Sequence, residues 1–255
     1  MSKNYPCLRI TILTLFPEMF NGPFDYSIIK RAINRKLIKI DFINIRDFGL
    51  GKYKSIDDRP YGGGAGMIMR VDVIASVLAS SKCNPSTSLG AGVQSAKFKE
   101  KIVLLDPRGK KFNQAMVRRF SKLDHLILIC GHYEGVDERV KKLVDEVISI
   151  GDYILTGGEI PAMAITDSVT RLLPGVLAKS EATKNESFSI PKTKDQSLKT
   201  NLEYPQYTRP EIYDGTKVPS ILLSGNHKKI DQWRKEQAEK IVSQFHLGQI
   251  DLKSR

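Results

Sequence analysis

Alternating apolar and polar positions dominate the start of the chain. Residues 8–16 and 38–48 alternate in this way and are rich in β-branched residues, which predicts two strands. Between them, the apolar residues of 17–37 recur at helical spacing and predict a turn followed by a helix. A glycine-rich loop at 57–69 and a short helix at 70–81 are expected to follow. The start of the chain therefore predicts a mixed α/β fold.

Strand and helix then alternate regularly over residues 101–173. In each unit an apolar strand ends in a glycine turn and is followed by a helix. The strands with their turns are expected at 101–109, 125–135 and 146–159, the last as one or two strands. The helices are expected at 113–123, 136–145 and 161–173, the last with Pro161 near its start. This alternation predicts an α/β fold in which a parallel sheet carries helices on both faces.

Turns at the carboxyl ends of parallel strands lie along one edge of a sheet, where such sheets bind ligands. The loops 105–109, 130–135 and 151–158 should therefore converge. The third loop ends in Gly157 and Gly158, yet the chain has neither a GxxxxGK[ST] nor a GxGxxG pattern there, and 151–158 contains no Lys or Arg. The loops suit a ligand held by backbone hydrogen bonds and apolar walls, such as S-adenosylmethionine.

Two stretches lack any regular period. Residues 82–101 are rich in Ser, Gly and Lys and predict a surface connection, whereas residues 176–200 are polar and predict a linker. Beyond the linker, a proline-punctuated segment and a strongly helical one predict a small, mostly helical module. The expected organisation is one domain at 1–175, a linker at 176–200 and a second domain at 201–255.

The net charge of the chain indicates which class of molecule it binds. The 255 residues include 40 Lys and Arg against 28 Asp and Glu, a formal net charge of +12 that is spread along the chain. Such a basic surface favours a polyanion, with nucleic acid as the first candidate, although a surface tuned for solubility is the alternative. No apolar run is long enough to span a membrane and no signal peptide is recognisable. Because Cys7, Cys83 and Cys130 have no paired or metal-like spacing, a cytoplasmic location is expected.

Several blocks of sequence occur in the order found in one enzyme family. They are PEMF at 17–20, DDRPYGGGAGM at 57–67, CGHYEGVDERV at 130–140, IGDYILTGGEIPAM at 150–163, RLLPGVL at 171–177, YPQYTRPEIYDG at 204–215 and VPSILLSGNHKKIDQWR at 218–234. With these blocks the chain closely resembles the bacterial tRNA (guanine-N(1))-methyltransferases, the TrmD family of the SPOUT superfamily. That family uses S-adenosylmethionine to methylate guanine 37 of tRNA, next to the anticodon, when a guanine precedes it.

The resemblance implies a homodimer, a partner in the tRNA anticodon stem-loop and a deep trefoil knot formed by the cofactor loops. It implies no membrane partner and leaves a magnesium requirement open. The positions that match the family's S-adenosylmethionine site are Leu104, Leu105, Pro107, Gly131, Tyr133, Glu134, Ile150, Gly151, Tyr153, Leu155, Gly157, Gly158 and Pro161.

The chemistry can be argued from the target base. Guanine N(1) carries a proton at neutral pH, so its methylation needs a general base, and an arginine can stabilise charge that builds on O6. By resemblance Arg171 is that arginine, Glu134 is assigned to the catalytic set as well, and Glu186 stands where the family has an aspartate. Glutamate is one methylene longer than the family's aspartate, and the linker is longer than is usual for the family. The resemblance therefore fixes the position of the general base less closely than that of the other site residues.

The positions assigned to RNA contact lie in two segments. The resemblance places Asp57, Arg59, Ala65 and Gly66 near the anticodon region, although many relatives have proline where this chain has Ala65. It adds Tyr207, Thr208 and Arg209 from the second domain. Four cations of the last helix are expected to meet phosphates, or otherwise to form a solvated helix face: Lys228, Lys229, Arg234 and Lys235.

Two alternatives remain open from the sequence. One is a SPOUT RNA methyltransferase with a different target nucleotide, against which Glu186, Arg171 and the YTRP segment argue. The other is a tRNA-binding protein with impaired catalysis, marked by glutamate in place of aspartate. A P-loop-like hydrolase is excluded, because the lysine and the serine or threonine of that loop are missing.

Overall fold

The computed structural model describes residues 7–80, 98–178, 183, 186–189 and 202–251, of which 245–251 are described by their backbone alone. The chain divides into two compact units, Met1–Ala178 and Lys179–Arg255. Most of the predicted surface connection at 82–101 and of the predicted linker at 176–200 lies outside the described residues.

The first unit alternates strand and helix largely as the sequence pattern predicts. Its strands are β1 (Leu8–Thr14), β2 (Ile38–Asn44), β3 (Asp57–Asp58), β4 (Ile68–Met69), β5 (Glu100–Lys111), β6 (His125–Cys130) and β7 (Glu146–Ser149). Its α-helices are α1 (Ser27–Asn34), α2 (Val71–Ala79), α3 (Gln114–Phe120) and α4 (Glu159–Thr170). Short 3₁₀ helices lie at Pro17–Phe20, Ile45–Phe48 and Glu138–Lys142.

Five of these strands form one parallel sheet in the order β2-β1-β6-β5-β7, while β3 and β4 form a separate antiparallel pair. Strands of a parallel sheet are buried on both faces, so successive side chains enter two different cores. On β6, Leu126 and Leu128 pack with α1, α3 and α4, whereas Ile127 and Ile129 pack with α2. The predicted parallel sheet with helices on both faces is confirmed.

One predicted helix is largely absent. Within 136–145 only the 3₁₀ helix Glu138–Lys142 forms. The carboxylate of Asp145 accepts a hydrogen bond from the N–H of Ile102 (2.8 Å), which draws the end of this segment into pairing with β5. This tertiary contact outweighs local helix propensity.

One predicted strand is shorter than its apolar sequence suggests. β7 ends at Ser149, whose hydroxyl donates to the carbonyl of Gly151 (2.9 Å) and turns the chain. Residues 150–158 are an irregular loop and α4 begins at Glu159. Their apolar side chains are therefore available to line a site rather than to pair in the sheet.

The second unit contains a short hairpin, β8 (Ile212–Tyr213) with β9 (Thr216–Lys217), followed by helices α5 (Ser220–Leu223) and α6 (His227–Asp251). Helix makes up most of its described part. Within the described parts of both units, no helix combines the length and apolar character needed to cross a membrane.

Candidate active site

A cavity of about 360 Å³ lies at the carboxyl ends of β5, β6 and β7. Its walls come from the three loops that the sequence predicted to converge and from the start of α4. Twelve of the thirteen predicted cofactor residues line it: Leu105, Pro107, Gly131, Tyr133, Glu134, Ile150, Gly151, Tyr153, Leu155, Gly157, Gly158 and Pro161. Segments distant in sequence thus form one site.

Leu104 is the predicted cofactor residue that the structure places elsewhere. It is almost fully buried in the core beneath α2, on the opposite face of β5 from Leu105. Successive side chains of a strand point to opposite faces, so one of the two neighbours had to leave the cavity side. The cavity also has lining residues that the prediction omitted, among them Asp106, Arg108, His132 and Thr156.

The second and third loops are tied together through their backbones. The N–H of Gly158 donates to the carbonyl of Gly131 (2.8 Å), and a β-bridge joins His132 to Gly157. A Cβ on Gly158 would lie 2.6 Å from the Cα of Cys130, closer than folded chains allow. Glycine is therefore required at 158 because two backbone segments meet there.

The cations beside the cavity are engaged with carboxylates. Arg108 donates to Asp106 through its backbone N–H (2.8 Å), its Nε (3.0 Å) and its Nη2 (2.8 Å). The hydrogen bond from the Arg108 side chain, opposed by burial, holds the pKa of Asp106 below its usual range. Lys111 forms an ion pair with Asp152. These pairs leave a wall suited to a nucleoside rather than to a triphosphate.

Cys130 ends β6 directly behind the cavity but is not suited to act as a nucleophile. Complete burial raises the pKa of its thiol well above the usual value, and the nearby charge of Glu159 raises it further. The thiolate is the reactive form of cysteine. Covalent catalysis through Cys130 is therefore disfavoured.

Three polar side chains lie together beside the cavity, and of these His132 is among the lining residues: Thr14, His132 and Glu159, here called the cavity cluster. Glu159 is 1% exposed, and its Oε1 accepts a hydrogen bond from the hydroxyl of Thr14 at 2.7 Å. Its Oε2 lies 3.9 Å from Nδ1 of His132. The sequence showed an acid after the two glycines but gave it no role, since its partner Thr14 is 145 residues away.

The predicted catalytic residues of the first unit occupy different places. Glu134 lines the cavity, and its N–H donates to the carbonyl of Met67 (3.1 Å), which joins the glycine-rich loop to the site. In that loop Asp57 is half-buried, while Arg59, Ala65 and Gly66 are exposed. Arg171 follows the last turn of α4 and is not among the described residues that line the cavity.

Glu186 and the YTRP segment belong to the second unit. The carbonyl of Glu186 accepts a hydrogen bond from the N–H of Ser189 (3.0 Å), and the residue is half-buried. Tyr207, Thr208 and Arg209 are exposed, and the Tyr207 ring lies 6.3 Å from that of Trp233.

The four cations of α6 do not share one environment. Lys228, Lys229 and Lys235 are exposed. Arg234 instead packs its guanidinium 4.9 Å from the centre of the Tyr204 ring and pairs with Asp231 at 3.3 Å. The first three are therefore better placed than Arg234 to meet a phosphate.

The described residues contain no group of three or more His, Cys, Asp or Glu side chains arranged to hold a metal ion. The carboxylates at the cavity are instead engaged within the protein, Asp106 with Arg108 and Glu159 with Thr14. The geometry is that of an α/β protein with a cavity formed by loops at the carboxyl ends of parallel strands.

Comparison with known proteins identifies the family. Residues 8–248 match the model of the tRNA (Guanine-1)-methyltransferase TrmD family. The tRNA (guanine-N(1)-)-methyltransferase of Carboxydothermus hydrogenoformans is 52% identical over 91% of this chain and 83% of that protein. The corresponding protein of Clostridioides difficile is 45% identical over 93% of this chain and 95% of its own.

A solved structure agrees with these sequence matches. The crystal structure of the tRNA (m1G37) methyltransferase from Aquifex aeolicus superposes with a TM-score of 0.69 at 37% identity, covering 93% of this chain and 92% of that one. The chain belongs to the TrmD family of tRNA (guanine-N(1))-methyltransferases and is an enzyme, as its sequence blocks predicted.

Proposed function

We propose that the cavity binds S-adenosylmethionine and that the enzyme methylates guanine N(1) at position 37 of tRNA, next to the anticodon. Methylation of guanine N(1) in tRNA is the activity of the family to which the chain belongs. Position 37 is supported by the Aquifex aeolicus neighbour, which is described as a tRNA (m1G37) methyltransferase.

The observation that carries the proposal is the convergence of the three loops on one cavity. Its volume of about 360 Å³ falls in the usual range of small-molecule sites, roughly 300–1,000 Å³. Its wall combines apolar side chains such as Leu155 and Pro161 with glycine backbone, and Arg108 is already paired with Asp106. A neutral adenosine fits such a wall better than a nucleoside triphosphate would.

We propose that these loops form the deep trefoil knot of the family. Two contacts support it. The backbone bond from Gly158 to Gly131 brings the third loop against the second. The pairing of β5 with β7 is irregular between Leu105 and Lys110, where the first loop leaves the sheet.

A homodimer is also part of the proposal. Ile154 and Ile160, on either side of the cavity's glycines, expose 81% and 48% of their surface. Neighbouring exposed apolar side chains on a folded unit mark an interaction surface. A second copy covering this surface would exclude water from the cavity and could supply residues to it.

The proposed reaction needs one proton acceptor and one cation. Glu186 removes the proton from guanine N(1), and Arg171 stabilises the negative charge that develops on O6. S-adenosylmethionine supplies the methyl group from a sulfonium centre. The new N–C bond forms as the S–C bond breaks, so the positive charge on sulfur is neutralised and S-adenosylhomocysteine is the co-product.

The division of labour follows the predicted domains. Residues 1–175 carry the cofactor site and, in Asp57, Arg59, Ala65 and Gly66, one RNA-contacting loop. The linker 176–200 carries the general base, Glu186. Residues 201–255 contact the tRNA through Tyr207, Thr208 and Arg209, with the exposed lysines of α6 meeting phosphates.

The test is methyl transfer from labelled S-adenosylmethionine to tRNA transcripts, followed by mass spectrometry of the modified nucleoside. A transcript with guanine at 36 and 37 should gain one methyl group at N(1) of guanine 37. A transcript with adenine at 37 is the negative control. Methylation of a different nucleotide would replace this proposal with another RNA target.

The role of the linker acid needs its own variant. Glu186→Gln keeps the shape of the side chain and removes its basicity, so it should nearly abolish turnover while leaving cofactor and tRNA binding in place. Glu181→Gln, at the nearest other acid upstream, is the matched control and should remain active. Normal turnover by Glu186→Gln would assign the proton to another group.

A further inference from the structure

The cavity cluster contains a buried polar atom without a hydrogen-bond partner among the described residues. That atom is Nδ1 of His132. Buried polar atoms are nearly always satisfied, so an exception calls for an explanation. The nearby acceptor is Oε2 of Glu159 at 3.9 Å, too long for a hydrogen bond but short enough to become one through a small shift. Functional hydrogen bonds are often long before a ligand binds.

The carboxylate of Glu159 is anchored through one of its two oxygens. Oε1 accepts from the Thr14 hydroxyl (2.7 Å), and the Thr14 oxygen in turn accepts from the N–H of Phe16 (3.0 Å). Glu159 is the first residue of α4, where the helix dipole favours a negative charge. With one oxygen anchored, the other faces the imidazole.

The ring of His132 is held at the cavity wall. It packs against the Phe16 ring with centroids 4.9 Å apart, and its own residue forms a β-bridge with Gly157. The side chain is 20% exposed and lines the cavity, while Nδ1 is buried. The exposed part of the ring is therefore the part away from Glu159.

We infer that Glu159 is a positioning residue that fixes the ring and the tautomer of His132. The proton sits on Nδ1, facing the carboxylate, which leaves the Nε2 lone pair as a hydrogen-bond acceptor at the wall. The ligand group it accepts from is an N–H donor of a purine. Two purines meet at the proposed site, the adenine of S-adenosylmethionine and the target guanine, so the inference rests on the proposed function.

The same molecule provides a matched control. At the amino ends of the strands, Glu100 accepts a hydrogen bond from Nδ1 of His125 in a second Glu–His pair. Thr11, His125 and Glu100 are called the amino-end cluster. It is far from the cavity lining, so Glu100→Gln removes the same charge from the same kind of pair without touching the site.

Nitrogen NMR of the imidazoles tests the tautomer directly in the unmodified protein with S-adenosylhomocysteine added. The chain has four histidines, and a His132→Phe variant assigns the signal of interest. We expect the Nδ1–H tautomer for His132. The Nε2–H tautomer in the liganded protein would overturn the inference, and this measurement requires no variant other than the one used for assignment.

Glu159→Gln provides the second readout. The Thr14 oxygen already accepts from the N–H of Phe16, so we expect its hydroxyl to keep donating to the amide oxygen, which turns the NH₂ group toward Nδ1 of His132 as a donor. His132 should then switch to the Nε2–H tautomer. Its nitrogen at the cavity wall becomes a donor and can no longer accept a hydrogen bond from an N–H group of the ligand. We expect a loss of roughly tenfold in S-adenosylhomocysteine affinity or in single-turnover methylation, the scale of one hydrogen bond. Glu100→Gln should change neither by more than about twofold. An unchanged tautomer and activity in Glu159→Gln would refute the positioning role.

The purine donor is identified with S-inosylhomocysteine, in which oxygen replaces the adenine amino group. If the cofactor provides the donor, His132→Phe should abolish the preference for the adenosyl compound. If guanine provides it, that preference should persist while single-turnover methylation falls. Loss of neither would overturn the inference. Failure of the unmodified protein to bind S-adenosylhomocysteine at all would instead refute the proposed function.

Discussion

A cluster of one threonine, one histidine and one glutamate lies at each end of the central sheet. The hydrogen bonds of the histidine are complete in one cluster and incomplete in the other. In the amino-end cluster, Nε2 of His125 lies 2.8 Å from the Thr11 hydroxyl and Nδ1 lies 2.7 Å from Glu100. Both ring nitrogens are satisfied and the side chain is fully buried. In the cavity cluster, one ring nitrogen has no hydrogen-bond partner within the described part of the chain, and a fifth of the side chain is exposed.

This difference separates a structural polar network from a site. A buried network in which every group is paired can stabilise and specify a core, whereas a partly satisfied one costs free energy unless something completes it. The amino-end cluster is complete within the protein. The cavity cluster lies where three loops meet, so its completion falls to a ligand. Residue type alone does not distinguish the two.

The largest expected effect comes from Gly157→Ala, next to the cavity cluster. The new methyl group would lie 2.3 Å from Oε2 of Glu159 and 2.4 Å from Nδ1 of His132, so both side chains must move. A displacement of about 1 Å in a site can cost roughly a hundredfold, and we expect a loss of that size in cofactor affinity measured by calorimetry.

A double variant checks this cause. Glu159→Ala removes one of the two atoms that the methyl group meets, so adding it to Gly157→Ala should cost less than the sum of the two single changes. Strict additivity would show that the clash is not with the cavity cluster.

The second prediction compares the loss of the threonine hydroxyl from each of the two clusters. Thr11→Val leaves Nε2 of the buried His125 without its partner, and Thr14→Val does the same to Oε1 of Glu159. Each should lower the free energy of unfolding by about 1–3 kcal/mol, measured by denaturant titration. Only Thr14→Val should also weaken S-adenosylhomocysteine binding. Equal losses of cofactor affinity in both variants would erase the distinction between the clusters.

The third prediction concerns pH. Burial lowers the pKa of His125 from its usual value, although the hydrogen bond that His125 donates to Glu100 opposes the shift. The unfolded chain therefore binds the proton first, and stability should be lost as pH falls below about 6.5, by at most about 1.4 kcal/mol per pH unit. Above that pH, His125 does not contribute to the change of the free energy of unfolding with pH.

Two variants isolate this slope in urea titrations at several pH values. His125→Phe should remove the contribution of the imidazole. Glu100→Gln removes the interaction that raises the pKa, so the loss of stability should extend to lower pH. A His125→Phe protein with an unchanged slope between pH 5 and pH 6.5 would contradict the assignment.

Whether a feature of the fold or of the site could be predicted from the sequence depended on how far apart along the chain the interacting residues lie. The strand and helix alternation predicted the parallel sheet, and the family resemblance predicted twelve lining residues, because both signals lie within short segments. Leu104 was grouped with Leu105, although the two side chains lie on opposite faces of β5, because a family resemblance does not record which face a strand residue occupies.

Other features depended on specific contacts, two of which join distant segments. The end of β7 at Ser149 and the loss of helix at 136–145 follow from individual side-chain hydrogen bonds that override an apolar pattern. Glu159 was visible after the glycine pair, but its burial and its bond to Thr14 join the first strand to the last helix of the sheet domain. Hydrophobic periodicity describes one element at a time and cannot show such a bond.

The smallest effect is expected from Phe16→Leu. The Phe16 ring packs against His132 at 4.9 Å, and such aromatic contacts are worth about 0.5–1.5 kcal/mol beyond their buried area. Leucine keeps the apolar contact but gives the imidazole more freedom to turn, so the rotamer and tautomer of His132 should become mixed in nitrogen NMR. The backbone N–H of residue 16 still donates to Thr14, which leaves the anchor of Glu159 in place. Cofactor affinity should therefore fall less than in Glu159→Gln, by about threefold, the scale of a few tenths to one kcal/mol. A loss as large as that of Glu159→Gln would mean that the aromatic ring, and not the carboxylate, holds His132 at the cavity wall.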